Sequence, residues 1–144
     1  MAYLFDTDAI LEVMRSQPLP AYLKWLRTIP REDQFTSAIS IGELFHSTFG
    51  VARRERHLKY IENRLLPAVT VLPYDFAIAR EHGRIRTELE SADIYLPDAD
   101  IQIAATAVYH GLILVTGNIK HFRRIKRCRL EPILERARRS EPRR

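Results

Sequence analysis

Four oxygen-bearing side chains stand where a small α/β protein would assemble a metal site: Asp6, Glu43, Asp100 and Asn118. Each lies at or just beyond a turn signal or strand end, and each adjoins an apolar run that reads as core. Asp6 follows Tyr3-Leu4-Phe5, Glu43 sits in Thr36 to Leu44, Asp100 opens Ile101-Gln102-Ile103-Ala104-Ala105, and Asn118 follows Leu112 to Thr116. An all-oxygen donor set selects hard cations such as Mg²⁺ or Mn²⁺, the ions of phosphate chemistry. In an open parallel sheet, ligands bind outside the carboxyl ends of the strands at the point where strand order reverses.

Each residue also has a structural explanation. Asp6 suits the N-cap of a helix over residues 7–15, with Asp8 in the same loop as a supporting residue. Ser40-Ile41-Gly42-Glu43 matches the capping box, in which Glu43 bonds back to the cap. Asp98, after Pro97, is the better N-cap of its helix, and it and Asp100 both favour the positive end of the dipole. Thr116-Gly117-Asn118 fits an ordinary turn. The argument for a site therefore rests on four separate segments each bringing an oxygen to a strand end. The histidines (46, 57, 82, 110 and 121) lack zinc-like spacing and Cys128 stands alone, so a zinc site is not expected. There is no Gly-rich phosphate loop and no nucleophile elbow.

The elements that must position these groups alternate along the chain. Residues 2–5 read as a strand, 7–15 as a helix, and 20–29 as a second helix with Tyr22, Leu23, Leu26 and Ile29 at helical spacing. Residues 35–38 read as a strand and 40–50 as a helix. Residues 53–66 form a charged amphipathic helix stopped by Pro67, followed by a strand over 69–72. Asp75 caps a helix to about residue 89. Another helix runs from 98 to about 110 and ends at Gly111, before a strand over 112–116 and a short edge strand within 129–133. This alternation predicts a parallel sheet covered on both faces.

A chain of 144 residues with 46% hydrophobic and 28% charged residues makes one domain with a real core. No apolar run reaches the roughly 18 residues of a membrane span. No secretory leader is evident and the lone cysteine excludes a disulfide framework, so a cytoplasmic setting is expected. Residues 120–144 carry eleven Lys and Arg against three Glu, a charge of +8, which leaves −3 for residues 1–119. A basic segment beside an acidic body suits a polyanionic substrate. The domain is expected to span residues 1–134, with 135–144 as a basic tail and a candidate for disorder.

Several stretches resemble the PIN-domain ribonucleases, in particular the VapC-type toxins of bacterial and archaeal toxin–antitoxin pairs. They are Phe5-Asp6-Thr7-Asp8, Thr36 to Leu44, His82 to Leu89, Asp100-Ile101-Gln102-Ile103-Ala104-Ala105-Thr106-Ala107 and Leu114 to Phe122. The resemblance implies a three-layer α/β/α sandwich with a parallel sheet of about five strands. It implies metal-site roles for Asp6, Glu43 and Asp100, with Asn118 at a fourth, often acidic, position. Thr7 and Thr116 match polar residues near that site, and Asp8 and Asp98 are expected to support it. Two departures stand out: Gly117, where a basic or polar residue is common, and the amide of Asn118. The resemblance further implies a cognate antitoxin and a homodimer, for which the helices 20–29 and 53–66 offer apolar surface.

The expected function is a Mg²⁺- or Mn²⁺-dependent endoribonuclease acting as a toxin on structured RNA such as tRNA or rRNA. Lys120, Arg123, Arg124, Lys126 and Arg127 are the candidate contacts to the RNA backbone. The first alternative is a non-catalytic RNA-binding or regulatory module on the same fold. The second is a phosphatase of the haloacid-dehalogenase type, suggested by Asp6-Thr7-Asp8 after a strand, although the later acidic pair of that family is missing.

Overall fold

The computed structural model describes residues 1–141, and the last three positions of the expected basic tail lie outside the described residues. Five parallel strands form one sheet in the order β3-β2-β1-β4-β5. They are β1 (Tyr3–Phe5), β2 (Gln34–Ser37), β3 (Thr70–Leu72), β4 (Ile113–Val115) and β5 (Leu130–Glu131). β1 sits in the middle, with Phe5 in register with Thr36 of β2 and Val115 of β4. Strand order reverses at β1, between β2 on one side and β4 on the other.

The period of two in the strands divides the core. Leu4, Leu112 and Leu114 face one side, packed with Ile78, Ile85 and Leu89 of helix α6 (Phe76–Ser91) and Ile101, Ala104 and Ala105 of α7 (Asp98–His110). Tyr3, Phe5, Ile113 and Val115 face the other side. There they meet α1 (Thr7–Met14), α2 (Pro20–Leu26), α3 (Ala38–Phe49) and α9 (Ile133–Ser140) through Ala9, Tyr22, Leu44 and Leu134. The three expected layers are present, and β1 and β4 are buried on both faces, as central parallel strands must be.

Four local outcomes differ from the sequence reading. First, α3 begins at Ala38 because Ser37 is its cap, its hydroxyl accepting from the Ser40 amide at 3.0 Å. Glu43 therefore lies in the second helical turn, where it cannot form a capping box. Second, Asp98 is not the cap of α7. That position is Pro97, which has no side-chain bond to offer, and Asp98 pairs instead with Arg86 and, at 3.5 Å, with His82. Third, residues 135–140 are not a tail but the body of α9, because Leu134 and Ala137 share one helical face and are 0% and 2% exposed. Pro67 does not stop a helix either. α4 (Arg54–Tyr60) passes through a π turn, 61–65, into the short α5 (Leu66–Ala68) that contains it. Gly111 ends α7 as expected, at φ 65°, a left-handed conformation that glycine adopts without strain. No helix among the described residues is long and apolar enough to cross a membrane.

Candidate metal centre

The turn after β1 starts the site. Asp6 follows Phe5 directly, and its amide donates to Val115 O across to β4 at 3.2 Å, which locks the two strand ends together. Its Oδ1 accepts from the Ala9 amide at 2.8 Å, so Asp6 does cap α1. Capping uses one carboxylate oxygen, and the same side chain lines the pocket beyond the strand ends. Capping α1 therefore does not keep Asp6 from facing that pocket.

That pocket, of about 400 Å³, is lined by Asp6, Thr7, Asp8, Glu43, Asp100, Ile103, Gly117, Asn118, Phe122 and Arg138. It lies at the carboxyl ends of β1 and β4, where strand order reverses. Four residues expected from separate segments meet there: Asp6 after β1, Glu43 from α3, Asp100 from the first turn of α7 and Asn118 after β4. Thr116 is fully buried beneath them and its hydroxyl accepts from the Asn118 amide at 2.9 Å. Thr7 donates to Glu43 Oε1 at 2.5 Å and so ties α1 to α3. Asp98, with its side chain 70% exposed and bound to Arg86, is outside the pocket.

Electrostatics mark Asp6 as the unusual member. It is 5% exposed, and burial pushes its carboxyl up to about 7; hydrogen bonds to Thr116 and Ala9 pull it back, and the charges of Asp8 and Asp100 add to the rise. A buried carboxylate beside two others is costly until a cation joins it. The oxygen donor set, the negative charge and the burial of Asp6 all fit Mg²⁺ or Mn²⁺ held by Asp6, Glu43 and Asp100. Among the described residues no three acidic or histidine side chains already close on one point as a finished cage. Mg²⁺ tolerates this, since it keeps several of its waters and takes only one or two carboxylates directly.

Two polar residues of the site escaped the sequence reading. His121 Nδ1 stands 3.3 Å from Asp100 Oδ2. It lies three positions after Asn118, on α8 (Ile119–Phe122), and that spacing was the available signal. Arg138 comes from α9 and grips Asp8 with both arms, Nη1 to Oδ2 at 2.7 Å and Nη2 to Oδ1 at 2.8 Å. No local pattern announces a contact spanning 130 residues. With both oxygens engaged, Asp8 is not the free acid that a dehalogenase-type phosphatase requires.

The expected RNA contacts separate into two groups. Lys120, Arg123, Arg124 and Lys126 are exposed and form no ion pair among the described residues. Arg127 is bound by Glu81 and, at 3.2 Å, by Glu88 of α6, so its charge is already answered within the protein.

Comparison with known proteins agrees with this geometry. Residues 3–127 match the family model of the PIN domain. The chain is 30% identical over 131 residues to Ribonuclease VapC2 of Haemophilus influenzae, covering 91% of this chain and 97% of that protein. It is 32% identical over 127 residues to Toxin FitB of Neisseria gonorrhoeae, covering 83% and 89% of the two. Among solved structures, DNA-bound VapBC from Salmonella typhimurium superposes with a TM-score of 0.84 at 27% identity, over 91% of this chain and 97% of that one. With the parallel sheet, the reversal at β1 and the acidic pocket beyond it, these matches place the chain in the PIN-domain family, among its VapC-type members.

Proposed function

We propose that the protein is a divalent-metal-dependent endoribonuclease and the toxin of a toxin–antitoxin pair. The observation that carries this reading is the convergence of Asp6, Glu43 and Asp100, with Asn118, in one pocket of a chain related to VapC ribonucleases. A Mg²⁺ or Mn²⁺ bound there would supply positive charge to the scissile phosphate and lower the pKa of the attacking water. The protein supplies the rest. Asp6, Glu43 and Asp100 would hold the ion, Thr7 fixes the Glu43 carboxylate, and Asn118 presents an uncharged amide at the rim. Lys120, Arg123, Arg124 and Lys126 line an exposed segment that follows directly and contact the RNA backbone. An exposed loop of a structured RNA such as tRNA or rRNA, whose bases can splay out, is the substrate this arrangement suits.

Control by an antitoxin has a surface to act through. A groove of about 740 Å³ runs between α1 and α4, with Leu11, Val13, Met14 and Tyr60 supplying apolar lining and Arg53, Arg56, Lys59 and Arg64 supplying charge. An amphipathic helix with acidic flanks matches that pattern. The reading also includes a homodimer, carried from the family resemblance.

Cleavage of labelled total RNA by the purified, partner-free chain tests the function, with Mg²⁺, Mn²⁺ or EDTA, beside Asp6→Ala and Asp100→Ala. Defined cuts that need the ion and vanish in both variants are expected. Folded protein that cuts nothing with either ion, or variants that cut as well as the parent, would overturn the assignment.

A further inference from the structure

The pocket holds four carboxylates, those of Asp6, Asp8, Glu43 and Asp100, and one guanidinium, Arg138. That guanidinium is not a surface group that has drifted in. α9 is anchored independently by Leu134 and Ala137, and by Glu141, whose Oε2 accepts from the Ala21 amide at 3.2 Å. Arg138 then reaches the site as a fork on Asp8, and its Nη2 lies 3.5 Å from Oε1 of the fully buried Glu12. Glu12 is itself fixed, its Oε2 accepting from the Leu19 amide at 3.1 Å. A planar, bidentate pair of this kind has a single good geometry, which a lysine cannot reproduce.

The fork also depends on Gly117. A Cβ built there would collide with Arg138 Nη1 and Asp8 Oδ2 and would stand 3.0 Å from Arg138 Cζ. The missing side chain is what lets the two charged groups meet at the pocket wall. Gly117 has no need of an unusual backbone conformation, since Gly111 is the only positive-φ glycine among the described residues.

We propose that Arg138, seated over Gly117, is a positioning residue of the metal pocket. By clamping Asp8 it withdraws one of the four carboxylates from the ion, and it thereby sets how much acidic charge remains to bind it. The C-terminal helix is then part of the active-site machinery. This inference rests on the reading of the pocket as a divalent-metal site, and its test separates the two.

The test is Mn²⁺ binding to the full chain, followed by the loss of the free-ion paramagnetic resonance signal, with no RNA present. Arg138→Gln is expected to tighten binding about tenfold, because the freed Asp8 adds a unit charge a few ångströms from the ion. Asp8→Asn should weaken binding, because the Arg138 guanidinium stays at the pocket wall without the Asp8 charge that offset it. The double variant Asp8→Asn/Arg138→Gln should return to within about twofold of the parent, a coupling that simple loss of packing does not produce. Gly117→Ala should behave as Arg138→Gln does, and Arg138→Lys should fall between. Parent-like Mn²⁺ affinity in folded Arg138→Gln and Gly117→Ala would sink the proposal and leave the metal site standing. Binding seen only once Arg138 is removed would support it in its strongest form. No binding by any variant would overturn the metal site and the proposal together.

Discussion

The acidic pocket and the basic segment after β4 are neighbours in space and opposites in construction. In the pocket nearly every charge is held by the protein. Asp6 bonds the Ala9 amide, Glu43 takes the Thr7 hydroxyl, Asp8 is clamped by Arg138, and Asp100 sits beside His121. Along residues 120–126 the four cations are exposed and form no ion pair among the described residues. The difference follows from burial. A carboxylate removed from water must find partners or pay several kcal/mol, whereas a surface lysine keeps its hydration and costs almost nothing to leave free. The pocket is therefore geometrically specified and electrostatically stressed, and the segment is neither.

The sharpest way to expose that stress is Asp6→Asn. The amide keeps the cap of α1 and removes the buried charge. The folded-state pKa of Asp6, about 7, lies above the 3.8 of an ordinary aspartate. The folded protein thus holds its proton more tightly, and stability falls as pH rises from about 4 to 7, then stays at its lower level. The shift corresponds to a penalty on the order of 4 kcal/mol above pH 7. In EDTA at pH 8, urea denaturation should find Asp6→Asn more stable than the parent, with the gap closing towards pH 4. Mg²⁺ or Mn²⁺ should stabilise the parent and not the variant. An equal midpoint at pH 8 would mean that Asp6 is relieved without a metal.

The second expected effect concerns α9. Leu134→Ala should cost about 2–5 kcal/mol, since the side chain is completely buried. Removing a residue of a true tail would cost nothing, so a denaturation midpoint unchanged from the parent contradicts the docking of this helix.

A smaller loss is expected from Thr7→Val, which keeps shape and deletes the hydroxyl that holds Glu43. Stability should drop by roughly 1 kcal/mol, the bond being only half-buried. On the proposed reading, cleavage should fall through kcat more than through KM, because the orientation of a carboxylate assigned to the ion is what changes. A pure KM effect would place Thr7 in substrate binding instead.

The smallest change in fold and the clearest in binding belongs to the basic segment. Lys126→Ala should leave the thermal midpoint unchanged and reduce the salt dependence of RNA binding by about 0.7 in the slope of log K against log salt. Arg127→Ala should leave that slope alone and lower the midpoint, because its guanidinium serves Glu81 and Glu88. If the two variants exchange these behaviours, the division drawn between free and committed cations fails.

Legibility followed the range of the physics. The strands 2–5 and 112–116 and the helix from 98 to 110 were evident because unbroken apolar runs and the stop at Gly111 are local signals. The capping box at Ser40 misled because Ser37 offers the same chemistry three residues earlier, and the strand that delivers the chain decides which serine is used. The tail reading failed because six Arg between 129 and 144 outweighed the buried face of Leu134 and Ala137 in any compositional view.

By itself, the sequence determined that a parallel α/β domain would form and that Asp6, Glu43, Asp100 and Asn118 would stand near strand ends, since hydrophobic period and turn chemistry are written residue by residue. Only the tertiary structure decided that Asp98 turns away to Arg86, that Arg127 is spent on α6, and that Arg138 crosses the chain to Asp8 over Gly117. An ion pair forms between charges that folding brings within a few ångströms, and separation along the chain carries no information about that distance.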